Sequence, residues 1–200
     1  LDGAEQAYLE ALKRAPQHVE TAAEYADMVW MRRGDLAAAQ AVLDRCAHSG
    51  GLPAPLLLSK AKLLEAAGEA DKGADLLAVA AERLPDDIAL TLAAAQAALE
   101  RGRVADAERL VATAEARLPD SPGVLNQAAI IHLAAGQADL ALAKARKGLA
   151  FSPENQSLWG WAATAARAVG DPLYGELYDY DAMVAAYDIE APAGWETLDA

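Results

Sequence analysis

Glycine recurs along this chain at a fixed interval of 34 residues, at Gly34, Gly68, Gly102, Gly136 and Gly170. Pro85, Pro119 and Pro153 keep the same interval. A period of this length marks a repeat array, in which each unit is too small to bury a core alone and does so by stacking on its neighbours. Between one Gly and the next lie two stretches of helical periodicity, for example Ile88 to Arg101 and Val104 to Leu118, with apolar residues three and four apart. Each unit is therefore expected to be a helical hairpin. The Gly suits a left-handed residue closing the first helix. The Pro ends the second, because it lacks the N–H that the next hydrogen bond needs. Asp35 reads as a helix N-cap, and Ser121-Pro122 and Asp171-Pro172 read as a cap followed by Pro in the first turn. Asp86, Asp87 and Glu154 also fall at helix starts, where the positive end of the helix dipole favours a carboxylate.

Small residues recur at offsets from the Gly where two helices must approach closely. Ala61, Ala95, Ala129 and Ala163 lie seven before it; Ala39, Gly73, Ala107, Ala141 and Gly175 lie five after; Cys46, Ala80, Ala114, Gly148 and Ala182 lie twelve after. Short side chains let backbones pack at the near end of the roughly 8–10 Å interaxial range. That requirement explains the composition, in which 52 of 200 residues are Ala, 54% are apolar and only 6% aromatic. Strands favour β-branched and aromatic residues, so an all-β fold is excluded and an all-α fold expected. Leu64, Leu77, Val111, Leu125 and Trp159 are the larger residues expected to fill the space between successive hairpins.

The period, the small residues at these offsets, the mid-repeat Gly and the closing Pro together resemble the tetratricopeptide repeat (TPR), over residues 2–186. The resemblance implies a right-handed superhelical solenoid of about five hairpins spanning 1–186: a half repeat at 2–16, then repeats near 17–51, 52–85, 86–119, 120–153 and 154–186. Lys60 falls where a Leu is common in the family, and Trp159 alone supplies the aromatic often found early in the first helix. In the first hairpin Tyr25-Ala26, and not Ala26-Asp27, fits the large-small pair, so one extra residue is expected near Arg32-Arg33. Asp2 to Ala15, closed by Pro16, reads as a second helix whose partner is missing. The chain also opens at Leu1 without Met, so a piece of something longer is expected.

Catalysis needs convergent acids, bases or nucleophiles, and little of that kind is present. His132 sits beside Leu133 on a helix face and reads as a packing or groove residue. His18-Val19-Glu20 matches a His-x-acid metal motif in form, but helical residues two apart point roughly 200° from one another. Cys46 occupies one of the small core positions, and a single Cys excludes a disulfide framework or a Cys-clustered metal site. The glycines are spread one per repeat, so no phosphate-cradling loop exists. No cofactor, metal or catalytic residue is expected in this segment.

What remains is surface. The first helices of such hairpins line the concave side of the solenoid, where extended binding surfaces form. On this register the concave face carries Leu58, Lys62, Leu92, Gln96, Leu99, Asn126, Ile130, Leu133, Thr164 and Arg167, with Met28, Trp30 and Met31 near one end. Some TPR proteins grip a peptide's terminal carboxylate with Lys, Arg and Asn in fixed places, and this sequence does not reproduce that set. An apolar helix or extended peptide, oriented by Lys62, Gln96, Asn126 and Arg167, is the expected partner. The net charge of −13 argues against nucleic acid and anionic membranes, which need a basic footprint. With no signal-peptide pattern and no long apolar run, a cytoplasmic setting is the expectation. Apolar edges of the array make self-assembly a further possibility.

From Asp171 the composition changes. Tyr174, Tyr178, Tyr180 and Tyr187 bring four of the six tyrosines, no Lys or Arg follows Arg167, and seven acids fall within 174–200. Helical spacing to about Ala186 predicts a last second helix with the tyrosines sealing the core. Residues 187–200 read as an acidic linker toward a missing domain. Leu177-Tyr178-Asp179-Tyr180-Asp181, Tyr187-Asp188-Ile189 and Pro192-Ala193-Gly194-Trp195 together resemble the junction in bacterial proteins that join TPR repeats to a 2-oxoglutarate/iron(II) oxygenase domain. That resemblance implies a helper or substrate-positioning module; the His-x-Asp pair and later His that hold the metal in that family are not in this chain.

Overall fold

The computed structural model describes residues 2–47 and 51–184. Among the described residues twelve helices follow one another: α1 (Asp2–Arg14), α2 (Val19–Arg33), α3 (Leu36–Asp44), α4 (Ala54–Ala66), α5 (Ala70–Arg83), α6 (Ile88–Glu100), α7 (Val104–Arg117), α8 (Pro122–Ala134), α9 (Ala138–Phe151), α10 (Gln156–Val169), α11 (Leu173–Leu177) and α12 (Tyr180–Met183). From α2 onward they pair as hairpins, and each hairpin packs on the next to give an all-α solenoid of about five TPR-like units.

Local chemistry sets the helix ends. Asp35, Asp87 and Asn155 cap α3, α6 and α10, their side chains accepting from the N–H groups of Ala38 (2.9 Å), Leu90 (2.9 Å) and Leu158 (3.1 Å). Ser121 holds the N-cap place of α8 without a side-chain bond, with Pro122 opening the helix. Asp86 instead pairs with Arg117. Glu154 accepts from the Ser152 hydroxyl at 3.1 Å, so the capping expected of it belongs to its neighbour Asn155. Gly102 has φ +69°, a conformation that costs an L side chain about 1–2 kcal/mol, and it lets the Arg103 N–H reach back to the Ala98 carbonyl at 2.8 Å. The other periodic glycines take the same conformation.

The small positions are where helices meet. Ala39, Ala95, Ala107, Ala114, Ala129 and Ala141 are fully buried, and Cys46, Ala61, Ala80 and Ala163 nearly so. Around them Leu43, Leu56, Leu90, Leu125, Ile131 and Leu158 are enclosed completely, each burial contributing about 1.5–3 kcal/mol. Leu64, Leu77 and Val111 are buried as expected, while Trp159 is half-buried and donates its indole N–H to the Pro153 carbonyl at 2.7 Å. Ion pairs tie successive units: Lys60 to Asp44 (2.8 Å), Arg103 to Asp75 (2.9 Å) and Lys144 to Glu115 (2.5 Å). Lys60, at a place where Leu is common, thus serves the neighbouring hairpin.

Irregularities sit at the two ends. Helix α2 has 15 residues against 13 in α4, α6 and α8, and Tyr25 and Ala26 are buried while Asp27 is exposed, as the one-residue offset requires. Helix α1 lies against α2, with Tyr8 stacked on Tyr25 at 5.8 Å. Helix α3 stops at Asp44 after 9 residues, where the later second helices run for 14. The last second helix does not form as expected. It is broken into α11 and α12, α11 has no buried residue, and Gly175 and Ala182 at the small positions are exposed. The expected sealing of the core reduces to Leu173 and Tyr174, which pack on the last cluster, while Tyr178 and Tyr180 stay exposed. Gly175 in mid-helix weakens this element, whose start at Asp171-Pro172 is a regular one. The linker 187–200 lies outside the described residues.

Candidate functional site

The 34-residue period sets Leu58, Leu92, Asn126 and Gly160 in one row along the first helices. Lys62, Gln96, Ile130 and Thr164 form a second row, and Glu65, Leu99, Leu133 and Arg167 a third. Leu58, Leu92, Gln96, Leu99, Asn126, Ile130 and Leu133 are half-buried, and Lys62, Thr164 and Arg167 are exposed. Leu58, Leu92 and Leu99 rest on the central core and Leu133 on the last one. Ile130 belongs to neither packing group. At the N-terminal end Met28 and Trp30 rest on the first core, and Met31 is 80% exposed.

The four polar residues expected to orient a partner differ in what they have left to offer. Gln96 donates to Glu100 (2.7 Å) and accepts from Gln127 (2.6 Å), so its amide is engaged within the chain. The Asn126 carbonyl oxygen is enclosed and has no partner. Arg167 lies over the Tyr174 ring, 5.6 Å from its centroid, a cation–π contact. Beside these four, the Thr164 hydroxyl donates back to the Gly160 carbonyl at 2.8 Å. Lys62 enters no ion pair among the described residues, which makes it the most available charge of the set.

Leu58, Lys62 and Gln96 converge on one feature that sequence reading missed. A pit of about 240 Å³ opens between α4 and α6, floored by Ala61, Gly73, Ala74 and Leu77 and edged by Glu65, Glu100 and Arg101. These two helices touch less than any other neighbouring pair of first helices. The signal lies in the repeat register, where Ala93 stands opposite Ser59, Gln127 and Trp161, and Ala97 opposite Leu63 and Ile131.

The reactive residues have structural employment. His18 is the N-cap of α2, its Nδ1 facing the Thr21 N–H (3.3 Å) and hydroxyl (2.8 Å). His132 Nδ1 lies 2.8 Å from the Gln137 amide oxygen, and Gln137 donates in turn to Glu108. Cys46 is 1% exposed; burial pushes its thiol pKa up, and its Sγ lies 3.3 Å from the Pro16 carbonyl. A raised thiol is a poor nucleophile, because the thiolate is the reactive form. Among the described residues no three His, Cys, Asp or Glu side chains come together to hold a metal ion, and no helix is long and apolar enough to cross a membrane.

No protein-family profile matches the chain, and no curated protein is similar to it in sequence. Solved structures are similar in fold. BtubC (BKLC) from P. vanneervenii is 16% identical with a TM-score of 0.69, over 100% of this chain and 95% of that one. YrrB, described as a TPR protein with an unusual peptide-binding site, is 12% identical with a TM-score of 0.62, over 88% and 92%. A tetratricopeptide repeat protein from Parabacteroides merdae ATCC 43184 is 13% identical with a TM-score of 0.63, over 92% and 73%. Identities this low carry the architecture and nothing of the ligand. By its repeat geometry and these likenesses, the chain has the tetratricopeptide fold.

Proposed function

We propose that this chain is a non-catalytic protein–protein interaction scaffold that receives a peptide or helix on the concave face formed by α4, α6, α8 and α10. The observation that carries this reading is the set of half-buried apolar residues, Leu58, Leu92, Leu99, Ile130 and Leu133, spread over the three rows beside exposed Lys62 and Arg167. Apolar side chains left partly open along a groove gain about 25 cal/mol for each Å² a partner covers, and the exposed cations can bond a partner's carbonyls or carboxylates. Gln96 and Asn126, named above as orienting residues, contribute less on this geometry, because one is engaged and the other enclosed. The peptide-binding site named for YrrB is in keeping with such a use.

A displayed random-peptide library selected on the immobilised chain tests the reading. Selected peptides should lose about tenfold or more in affinity on Ile130→Asp with helicity unchanged. Peptides that bind this variant as well as the parent refute the concave face as the site. A second reading rests on the Leu177–Asp181 string and its oxygenase-junction likeness, and makes this module the holder of a catalytic domain or its substrate. A His-x-Asp and a distant His encoded after Ala200 would support it, and a stop codon there would end it.

A further inference from the structure

We propose that the pit between α4 and α6 is the receptor for one aromatic side chain, an indole above all, on the bound polypeptide. This rests on the concave face being the binding surface and assigns its anchor. The reason for the pit lies in the repeat. Ser59, Ala93, Gln127 and Trp161 stand 34 residues apart, at the same place on successive first helices. In α8 this residue spans the gap to the preceding first helix: the Gln127 amide donates to Gln96, 31 residues earlier, at 2.6 Å. The same vector drawn from Ala93 leads to Lys62, and a methyl group cannot span it. Four residues on, α8 carries Ile131, fully buried against the central core, where α6 carries Ala97. Helix α6 therefore presents two methyls to α4 where α8 presents an amide chain and a branched alkyl group to α6. Ala93 and Ala97 both line the pit.

The chain itself shows what fits such a gap. At the equivalent position of α10 stands Trp161, packed on the last core with its indole N–H enclosed and without a partner. A space of about 240 Å³ lies below the roughly 300–1,000 Å³ of small-molecule pockets, and suits a single side chain. Its floor is apolar and its edge carries both signs of charge. The Glu65 and Glu100 carboxylates offer an indole N–H the acceptor that enclosed Trp161 lacks, and the Lys62 and Arg101 cations are attracted to the ring face. An aliphatic side chain would use the floor and leave the edge unused.

Two readouts test this. In a 1H–15N spectrum, N-acetyl-tryptophanamide should shift the amides of Leu58, Ala93 and Ala97 in a saturable way, and N-acetyl-leucinamide at equal concentration should shift them much less. Ala93→Gln, which sets the α8 side chain at this place and lets its amide oxygen accept from Lys62, should abolish these shifts while keeping helicity and the thermal midpoint. Ala93→Trp should do the same by filling the pit directly. Peptides selected from the displayed library should carry a shared aromatic and weaken about tenfold or more on Ala93→Gln. Equal shifts from the two amides, or shifts that persist in Ala93→Gln, overturn the proposal. Peptides that ignore Ala93→Gln but lose binding on Ile130→Asp overturn the pit and leave the concave face standing. Peptides indifferent to both substitutions overturn both.

Discussion

Replacing Gly148 by Ala and Gly160 by Ala makes one chemical change in two neighbouring helices, and the structure gives the two opposite outcomes. In each case a mid-helix Gly becomes the best helix former, a gain of about 0.8–1 kcal/mol. At Gly160 an added methyl meets nothing within 4 Å and the site is exposed, so the gain should appear undiminished. At Gly148 the methyl would sit 2.7 and 3.0 Å from the two Leu158 methyls and 3.4 Å from the Leu125 Cβ. Leu158 and Leu125 are themselves fully enclosed, so neither can swing away without displacing the core. Overpacking of this kind costs about 1–3 kcal/mol. The net effect is a loss of about 0–2 kcal/mol for Gly148→Ala against a gain of about 1 kcal/mol for Gly160→Ala. Urea unfolding followed by circular dichroism measures both. Because repeat arrays can unfold in stages, the comparison is made on variants of the same two hairpins. A Gly148→Ala protein as stable as Gly160→Ala would refute the close α9–α10 approach on which the small-residue argument rests.

Three further outcomes are expected. Asp87→Ala removes the cap on Leu90 N–H and should cost about 1 kcal/mol in unfolding, whereas Asp87→Asn should cost little; equal losses would mean the charge matters and the cap does not. Cys46 should react with a thiol reagent at pH 8 far more slowly in the native protein than in denaturant, since burial raises its pKa and shields it; equal rates would contradict its core placement. The Leu173 N–H at 3.0 Å, and Arg146 at 2.7 Å, hold the Asp171 carboxyl below its usual value. A depressed carboxyl stabilises the fold above its unfolded pKa of about 3.9 and loses that contribution as pH falls through the folded value. The unfolding midpoint of Asp171→Asn should therefore lie below the parent's at pH 7 and converge with it in acid, and a gap that stays constant would refute the assignment.

The interior of the array was legible from residues, because each helix there has a neighbour on both sides and the same offsets recur. The helices read as Ile88–Arg101 and Val104–Leu118 form over Ile88–Glu100 and Val104–Arg117, and the small positions from Ala61 to Ala163 are buried. At the ends the offsets persist but the packing that would enforce them does not. Gly175 and Ala182 keep the small-residue register and are exposed, on helices of only 5 and 4 residues. The candidate face was legible as rows of positions, because the period alone assigns Leu58, Lys62 and Gln96 to one side. What each residue has left to offer was not. Gln127 reaching Gln96 is a contact between repeats, and Tyr174 lying under Arg167 is a contact between the two helices of the last hairpin; the offsets from the periodic Gly reveal neither. The pit escaped for a related reason: it is an absence, visible only when Ala93 is set beside Gln127 and Trp161.

The most direct test of concave-face recognition is a photo-crosslink from two placements of benzoylphenylalanine, mixed with a peptide selected from the displayed library. One replaces Ile130, half-buried on α8, and the other replaces Val79, which is 55% exposed on the second helix α5. Adducts from position 130 and none from position 79 are the expected result; adducts from position 79 with none from position 130 would contradict it.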